Sequence, residues 1–82
     1  MSYYFYILRC ADNSLYSGIT NNLEKRIREH NLVNSKGAKY TRAKRPVKLV
    51  YSEKYRSKKT AMKREIEVKR LTKAEKEKLV LS

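Results

Sequence analysis

The first hydrophobic run of the chain, YYFYILRC at residues 3–10, places aromatic and aliphatic residues at both odd and even positions. A half-buried strand would alternate apolar with polar residues, so this run predicts a strand that is covered on both faces. The turn-forming residues ADN follow, and a second apolar segment, SLYSGI, comes soon after them. Because Asp and Asn tolerate left-handed backbone conformations, the two segments predict a β-hairpin.

The next segment, NNLEKRIREHNL, has the periodicity of an amphipathic helix. Leu23, Ile27 and His30 recur at spacings that place them near one face. Asn21 is the predicted N-cap, and Glu24 follows three residues later in the capping-box position. The sequence therefore predicts a first helix directly after the hairpin.

A cationic connection, VNSKGAKYTRAKRP, separates this helix from the rest of the chain. It contains Gly37 and Pro46 as breakers, and we expect a short helical turn near residues 39–43. The segment VKLVYSEKY is rich in β-branched and aromatic residues and predicts a third strand.

Two helices close the chain. One is predicted over residues 58–71 with Ser57 as its cap, and the last begins after a TKAE capping box that runs from Thr72 to Glu75. The predicted order is β-β-α-(α)-β-α-α, which is a small α+β fold within one domain of residues 1–82.

Charge narrows the choice of partner. The 21 Lys and Arg residues outnumber 8 Asp and Glu residues, which gives a net charge of +13 on 82 residues. Such an excess favours a polyanionic partner, and nucleic acid is the first candidate. Binding to an acidic membrane is disfavoured because the chain has no Trp and one Phe. A single cysteine and the lack of a leader segment predict a cytoplasmic protein without disulfides, and we assume a monomer.

The pattern YIL.C...LY.GIT.NL..R...HN, continued by GAKYTR...P..LVY.E and A..RE..VK, resembles the GIY-YIG nuclease family almost end to end. The two motifs that name the family correspond to YFY at residues 4–6 and YSG at residues 16–18. The glycine and isoleucine of the first motif are replaced by Tyr4 and Phe5, and the isoleucine of the second by Ser17. The small single-domain bacterial members are the most similar, and they resemble the nuclease domains of resolvases and of an excision-repair subunit.

The resemblance implies a three-stranded antiparallel sheet flanked by helices and a nuclease site with one metal ion. The residues that match the catalytic positions of the family are Tyr6, Tyr16, Arg26, His30 and Glu65. Glu65 stands at the metal-binding position, and Gly18 would leave room over its strand for a phosphate or for the Tyr6 ring.

Glu65 can also be considered without the family. On a helical wheel it falls in an apolar arc with Ala61, Val68, Met62 and Ile66. A carboxylate that points toward a core needs a cation, a donor or a metal. A buried pair with Lys69 or Arg26, with no catalytic duty, is the alternative to a metal site.

The other candidates have structural alternatives too. Arg26 and His30 are four residues apart and share one side of the helix. His30 could be a packing residue and Arg26 an ordinary solvated cation, and any of the seven tyrosines could be half-buried packing groups. A three-residue turn in the hairpin would place Tyr6 and Tyr16 on one sheet face, whereas a turn of two or four residues would separate them.

These groups suit hydrolysis of a phosphodiester, in which stabilisation of developing charge does most of the work. Glu65 would hold Mg²⁺ (or Mn²⁺) and Arg26 would contact the non-bridging oxygens. Tyr6 is the favoured general base with Tyr16 as its neighbour, provided that nearby cations or the metal lower its pKa, and His30 could exchange roles with it.

The chain contains no base-reading module, so selection by nucleic-acid structure is expected, with DNA favoured over RNA. The cations expected to contact phosphates are Lys39, Arg42, Lys44 and Arg45. Two other functions stay open: a nucleic-acid-binding module of the same fold with little or no nuclease activity, and a ribosome-associated or adaptor protein.

Overall fold

The fold was analysed in a computed structural model that describes residues 2–31 and 44–82. Three strands, β1 (Tyr3–Arg9), β2 (Leu15–Thr20) and β3 (Lys48–Tyr55), form an antiparallel sheet with the order β2-β1-β3. The helices are α1 (Leu23–Asn31), α2 (Lys58–Lys69) and α3 (Lys73–Leu81). The predicted α+β order is confirmed, while the helical turn expected near residues 39–43 lies outside the described residues. Within the described residues, none of the helices is long and apolar enough to cross a membrane.

The β1–β2 hairpin has the three-residue turn that places the two tyrosines together. The backbone N–H of Cys10 donates to the carbonyl of Ser14 at 2.9 Å, so residues 11–13 form the loop. Asn13 adopts φ of 69°, the left-handed conformation that such loops require at their last position. Tyr6 consequently lies opposite Gly18, and Leu8 lies opposite Tyr16. Of the turn lengths that the sequence left open, the structure has the three-residue turn, with the register expected for it.

The central strand β1 is buried on both faces, as its uninterrupted hydrophobic sequence predicts. On one face Tyr6 and Leu8 pack with residues of α1, including Leu23 and Ile27. On the other face Phe5 and Ile7 pack against Val68 of α2 and apolar residues of α3. The sheet is therefore a middle layer, with α1 on one side and the two C-terminal helices on the other.

Side-chain caps define where the helices begin. Ser57 caps α2, and Thr72 forms a reciprocal capping box with Glu75 at the start of α3, so both of these predictions are confirmed. The predicted N-cap of α1 is wrong by one residue. The side chain of Asn22, rather than Asn21, accepts a hydrogen bond from the backbone N–H of Lys25 at 3.1 Å. The hydroxyl of Thr20, the last residue of β2, accepts a hydrogen bond from the backbone N–H of Asn22. The predicted cap, Asn21, therefore lies between the strand and the observed cap.

The buried stripe of α2 is narrower than the sequence predicts. Ala61 and Val68 are fully buried, but Met62 and Ile66 are 44% and 52% exposed. The helical wheel placed these two residues in the apolar arc, and that prediction is wrong. Residues at spacings of three and four share a face, but the sheet covers only the part centred on Ala61 and Val68.

The orientation of α2 on the sheet is supported by a polar cluster on the α2 face of β3. The Glu53 carboxylate accepts hydrogen bonds from Arg64 Nε at 2.9 Å and from Arg64 Nη2 at 3.2 Å. The hydroxyls of Tyr51 and Tyr55 also donate to this carboxylate. Burial by itself would raise the pKa of Glu53, but Arg64 and the two hydroxyls hold that pKa below its ordinary value. The guanidinium thereby ties α2 to β3.

The C-terminus of α1 is joined to the start of β3 by a side-chain amide. Asn31 Oδ1 accepts from the backbone N–H of Val47 at 2.7 Å, and its Nδ2 donates to the Val47 carbonyl at 3.1 Å. The two bonds satisfy both backbone groups of one residue, much as a neighbouring strand would. This pair, the Asn31–Val47 clamp, fixes the end of the helix that carries His30.

Removal of the arginine from the polar cluster should destabilise the fold. We expect Arg64→Met to lower the free energy of unfolding by about 1–2 kcal/mol, because it leaves the Glu53 carboxylate without its cation. Urea unfolding measures the loss. Arg70→Met, on the exposed side just after the same helix, is the matched control and should change stability little. A double-mutant cycle with Glu53→Gln should show a clear coupling energy, and additive effects would contradict this account.

Candidate functional site

Tyr6 lies across the edge strand of the sheet at the one position where the strand has no side chain. A Cβ atom built on Gly18 would lie 2.6 Å from the Tyr6 hydroxyl oxygen and 2.8 Å from the ring carbon Cζ. These distances are too short for any real Cβ atom, so glycine is required here by the approach of the ring. Of the two expected uses of this space, the structure shows the Tyr6 ring filling it.

The Tyr6 hydroxyl meets His30 on α1. Its oxygen lies 3.2 Å from His30 Nε2, and both side chains are buried. The ring of Tyr16 stacks edge-on against the imidazole with centroids 5.3 Å apart. Two tyrosines and the histidine therefore form one aromatic group between β1, β2 and α1.

Arg26 and Glu65 approach the same hydroxyl. Both act electrostatically on Tyr6, and Arg26 also does so through a hydrogen bond. Arg26 Nη1 lies 3.2 Å from Glu29 Oε1, and Glu65 Oε2 lies 3.5 Å from Lys69 Nζ. The side chain of Glu65 is 21% exposed, so it is not sealed in the core against Lys69. Tyr6, Tyr16, Arg26 and His30 thus lie together, and Glu65 is close enough for its charge to act on the Tyr6 phenol.

The protonation states differ from those expected. Burial raises the pKa of Tyr6 and outweighs the hydrogen bond and positive charge of Arg26, which lower it. The condition for a tyrosine base, a pKa lowered by cations or by the metal, is therefore not met by the cations of the protein alone. Burial also lowers the pKa of His30 to about 4, and the Arg26 charge acts in the same direction. At neutral pH Tyr6 keeps its proton and His30 is neutral.

Glu65 offers a metal ion one carboxylate. Within residues 2–31 and 44–82 there is no group of three or more His, Cys, Asp or Glu side chains that could hold a metal. Mg²⁺ commonly binds one or two carboxylates and keeps several waters, so a partly exposed carboxylate beside a substrate phosphate fits that ion. The residues present are compatible with the single-ion site that the resemblance implies.

The predicted phosphate contacts fall partly inside the described residues. Lys44 Nζ lies 3.0 Å from Asp12 Oδ2, and the Lys44 carbonyl accepts from the backbone N–H of Ala11 at 2.9 Å. These contacts hold Lys44 against the hairpin loop. Arg45 is half-buried, whereas Lys39 and Arg42 lie outside the described residues.

Three residues that support the site were not singled out from the sequence: Asn31, Glu53 and Arg64. Glu53 could have been found, since it lies between Tyr51 and Tyr55 on one face of the predicted third strand. A carboxylate on the face that a helix covers needs a cation. Asn31 could not have been found from the sequence, because its partner is a backbone group 16 residues away.

Comparison with known proteins points to one family. Residues 2–78 match the family described as GIY-YIG catalytic domain. A UPF0213 protein of Clostridium perfringens is 56% identical over 79 residues, which cover 96% of this chain and 83% of that protein. A UPF0213 protein of Bacillus subtilis is 46% identical over 76 residues, which cover 93% of this chain and 75% of that protein.

Solved structures agree with these matches. The solution NMR structure of a UPF0213 protein from Bacillus halodurans has a TM-score of 0.62 at 46% identity, covering 98% of this chain and 83% of that one. The solution NMR structure of a protein from E. faecalis gives a TM-score of 0.65 at 41% identity, with the same coverage of both chains. Both sequence and fold therefore relate the chain to these proteins.

Substitution of the glycine under Tyr6 should displace the ring. We expect Gly18→Ala to lower the free energy of unfolding by about 1–3 kcal/mol, because the new methyl group overlaps the Tyr6 phenol. Urea unfolding and the near-ultraviolet circular dichroism of the tyrosines would measure the change. Ser17→Ala, one residue earlier in β2, should leave both nearly unchanged. A Gly18→Ala protein with wild-type stability and spectrum would contradict the close approach.

Acid should destabilise the protein through His30, the single histidine of the chain. The pKa of His30 is about 4 when folded, against an ordinary value of 6.5, so the unfolded chain binds more protons between these values. Stability should therefore fall as the pH decreases below 6.5, by up to about 1.4 kcal/mol per pH unit. Urea unfolding from pH 7 to 5 measures this slope. His30→Gln should show a much flatter slope, and equal slopes would contradict the assignment.

Proposed function

Because the chain belongs to the GIY-YIG catalytic domain family, we propose that it is a metal-dependent endonuclease that hydrolyses phosphodiester bonds in DNA, selected by structure rather than by sequence. The observation that carries the proposal is the contact of the Tyr6 phenol with the His30 imidazole and the Arg26 guanidinium, with the charge of the Glu65 carboxylate acting on the same phenol. DNA repair or recombination is the setting in which such an activity would serve.

Glu65 is proposed to hold one Mg²⁺ ion, with Mn²⁺ as a substitute. When bound, the ion would supply positive charge to the phosphate oxygens as charge builds on them. Lys69 lies 3.5 Å from the carboxylate and holds it in place. The Lys69 side chain is 59% exposed, so its ammonium group can exchange this contact for a phosphate.

Arg26 is proposed to bind the non-bridging oxygens of the scissile phosphate. Its side chain is 27% exposed and its Nη1 contacts Glu29, so the guanidinium is oriented before substrate arrives. A planar fork of donors suits a phosphate better than a flexible ammonium would. The contact should strengthen as the phosphate gains charge, so Arg26 should contribute more to rate than to affinity.

Tyr6 and His30 are proposed to act as one proton-accepting unit. The raised pKa of Tyr6 makes a free phenolate a poor starting point, and His30, whose pKa is about 4, is by itself a weak acceptor for the hydroxyl proton at Nε2. The negative charge of a phosphate bound beside the pair would favour the protonated imidazole and so raise the pKa of His30. As water attacks phosphorus, its proton would pass to the Tyr6 oxygen while the Tyr6 proton passes to His30. Tyr16, stacked on the imidazole, would hold the ring in position.

Binding of the nucleic acid is assigned to four cations of the sequence between α1 and β3. We place Lys39, Arg42, Lys44 and Arg45 against backbone phosphates, with Lys44 exchanging its ion pair with Asp12 for a phosphate. The net charge of +13 supports this assignment because binding of phosphates releases counterions. Contacts of this type position a strand without reading its bases, which is consistent with selection by structure.

A second function is favoured by two of the same observations. A single carboxylate and a raised phenol pKa would also suit a protein of this fold that binds nucleic acid and cuts it slowly or not at all. Incubation with branched, single-stranded and duplex DNA and RNA, with Mg²⁺ or Mn²⁺, separates the two. Cleavage that stops on chelation supports the nuclease, and binding without cleavage on every substrate supports the binding module.

Loss of the Glu65 charge should separate chemistry from binding. We expect Glu65→Gln to reduce divalent-dependent cleavage by about a hundredfold or more, since it removes the proposed metal ligand. Affinity measured by fluorescence anisotropy should change little. The slope of log K against log salt should stay near about −3 to −5, as expected for about four to six neutralised phosphates.

Two comparisons control this test. Glu67→Gln changes an exposed carboxylate two residues away on the same helix and should cut at the wild-type rate. Replacement of the four assigned cations together should flatten the salt slope. If Glu65→Gln cuts as fast as Glu67→Gln, the assignment of Glu65 to the metal is wrong.

A further inference from the structure

Two apolar side chains are exposed on α2 beside Glu65. Met62 is 44% exposed and Ile66 is 52% exposed, although both belong to a helix with a fully buried stripe. They are four residues apart, so they are neighbours on the helix surface. Met62 also lies one turn before Glu65. These residues form a small apolar patch, here called the Met62–Ile66 patch.

The patch lies on the flank of α2 that carries Glu65. With 100° per residue, Arg64 and Glu65 fall on opposite sides of the buried stripe of Ala61 and Val68. Arg64 reaches back to Glu53 on β3, which fixes the helix on that flank. Met62 and Ile66 continue around the helix from Glu65, away from Arg64. A ligand that contacts the Glu65 carboxylate from solvent therefore passes next to the patch.

Cations surround the patch. Lys58 and Lys69 lie on the same flank, and Lys59 and Lys63 lie on the outer side of the helix. All four are exposed, and Lys69 is bound to Glu65. The arrangement matches a polyanion that also has apolar surfaces. Phosphates would meet the ammonium groups, and a flat apolar group would meet Met62 and Ile66.

A nucleic acid offers this combination only where its bases are unstacked. An intact duplex presents phosphates and sugars to a helix surface and keeps the faces of its bases inside the stack. A single strand can turn its bases outward onto apolar side chains, while its phosphates follow a positively charged surface. The geometry thus favours a single-stranded ligand over a duplex.

We propose that the Met62–Ile66 patch binds unstacked nucleobases next to the scissile phosphate and makes the protein selective for single-stranded segments. This inference rests on the proposed function for the location of the phosphate at Glu65. It assigns the substrate class: a single strand, or the single-stranded segment of a branched molecule.

Binding to strands with and without bases tests the proposal. Fluorescence anisotropy in EDTA would compare a DNA strand of about twelve nucleotides with a strand of equal length whose central nucleotides are abasic. The phosphates are identical, so the difference reports contacts to bases. The wild-type protein should bind the ordinary strand about tenfold more tightly. Met62→Gln/Ile66→Gln should reduce this ratio to near one without changing the salt slope.

Leu81→Gln is the matched control, because Leu81 is 86% exposed at the end of α3 and lies outside the site. It should keep the wild-type ratio. A wild-type ratio near one, or a ratio that survives in the double variant, overturns the proposal. The proposal is also overturned if the wild-type protein is a dimer and the double variant is a monomer, because the patch would then bind a second copy of the chain.

Because binding is measured without metal, the result is independent of cleavage. A wild-type protein that prefers bases but cuts nothing with Mg²⁺ would refute the proposed nuclease and keep the base contact. A protein that cuts DNA but binds ordinary and abasic strands equally would support the proposed nuclease and refute the base contact.

Discussion

The passage of the Tyr6 ring over Gly18 is the contact on which the site depends. It lets a side chain from the central strand extend across the edge strand, so that its hydroxyl reaches His30 on α1. Glu65 acts on the same phenol from α2, the helix that covers the opposite face of the sheet. Two helical layers therefore contribute to one site beside β2. A Cβ atom at position 18 would exclude the ring and remove the point at which the two layers meet.

Much of this arrangement could be predicted from local sequence. A run of apolar residues without alternation identified the strand buried on both faces. The turn residues ADN identified the hairpin, but the length of the turn, on which the pairing of Tyr6 and Tyr16 depends, stayed open until the structure showed it. The caps at Ser57 and Thr72 were readable because capping uses side chains within three residues of the helix start. The cap of α1 was misplaced because two asparagines are adjacent there, and the sequence does not show that one residue, Asn21, separates the end of β2 from the cap Asn22.

Features that depend on the extent of burial could not be predicted. A helical wheel gives the angular position of Met62 and Ile66 but not how far around the helix the sheet extends. The same limit applies to Tyr6, whose pKa depends on how far the ring is buried. Burial has a larger effect than the neighbouring Arg26 charge and raises the pKa. In the proposed mechanism the phenol therefore needs a proton acceptor, and His30 is the group in contact with its oxygen.

The Asn31–Val47 clamp has a consequence for how the site responds to changes elsewhere in the sheet. The two hydrogen bonds join the last residue of α1 to the residue before β3. Because Asn31 directly follows His30, they also fix the helical turn that carries the imidazole. A displacement of the start of β3 would therefore be transmitted to the histidine, so the geometry of the site is coupled to a strand that contributes none of the five candidate residues.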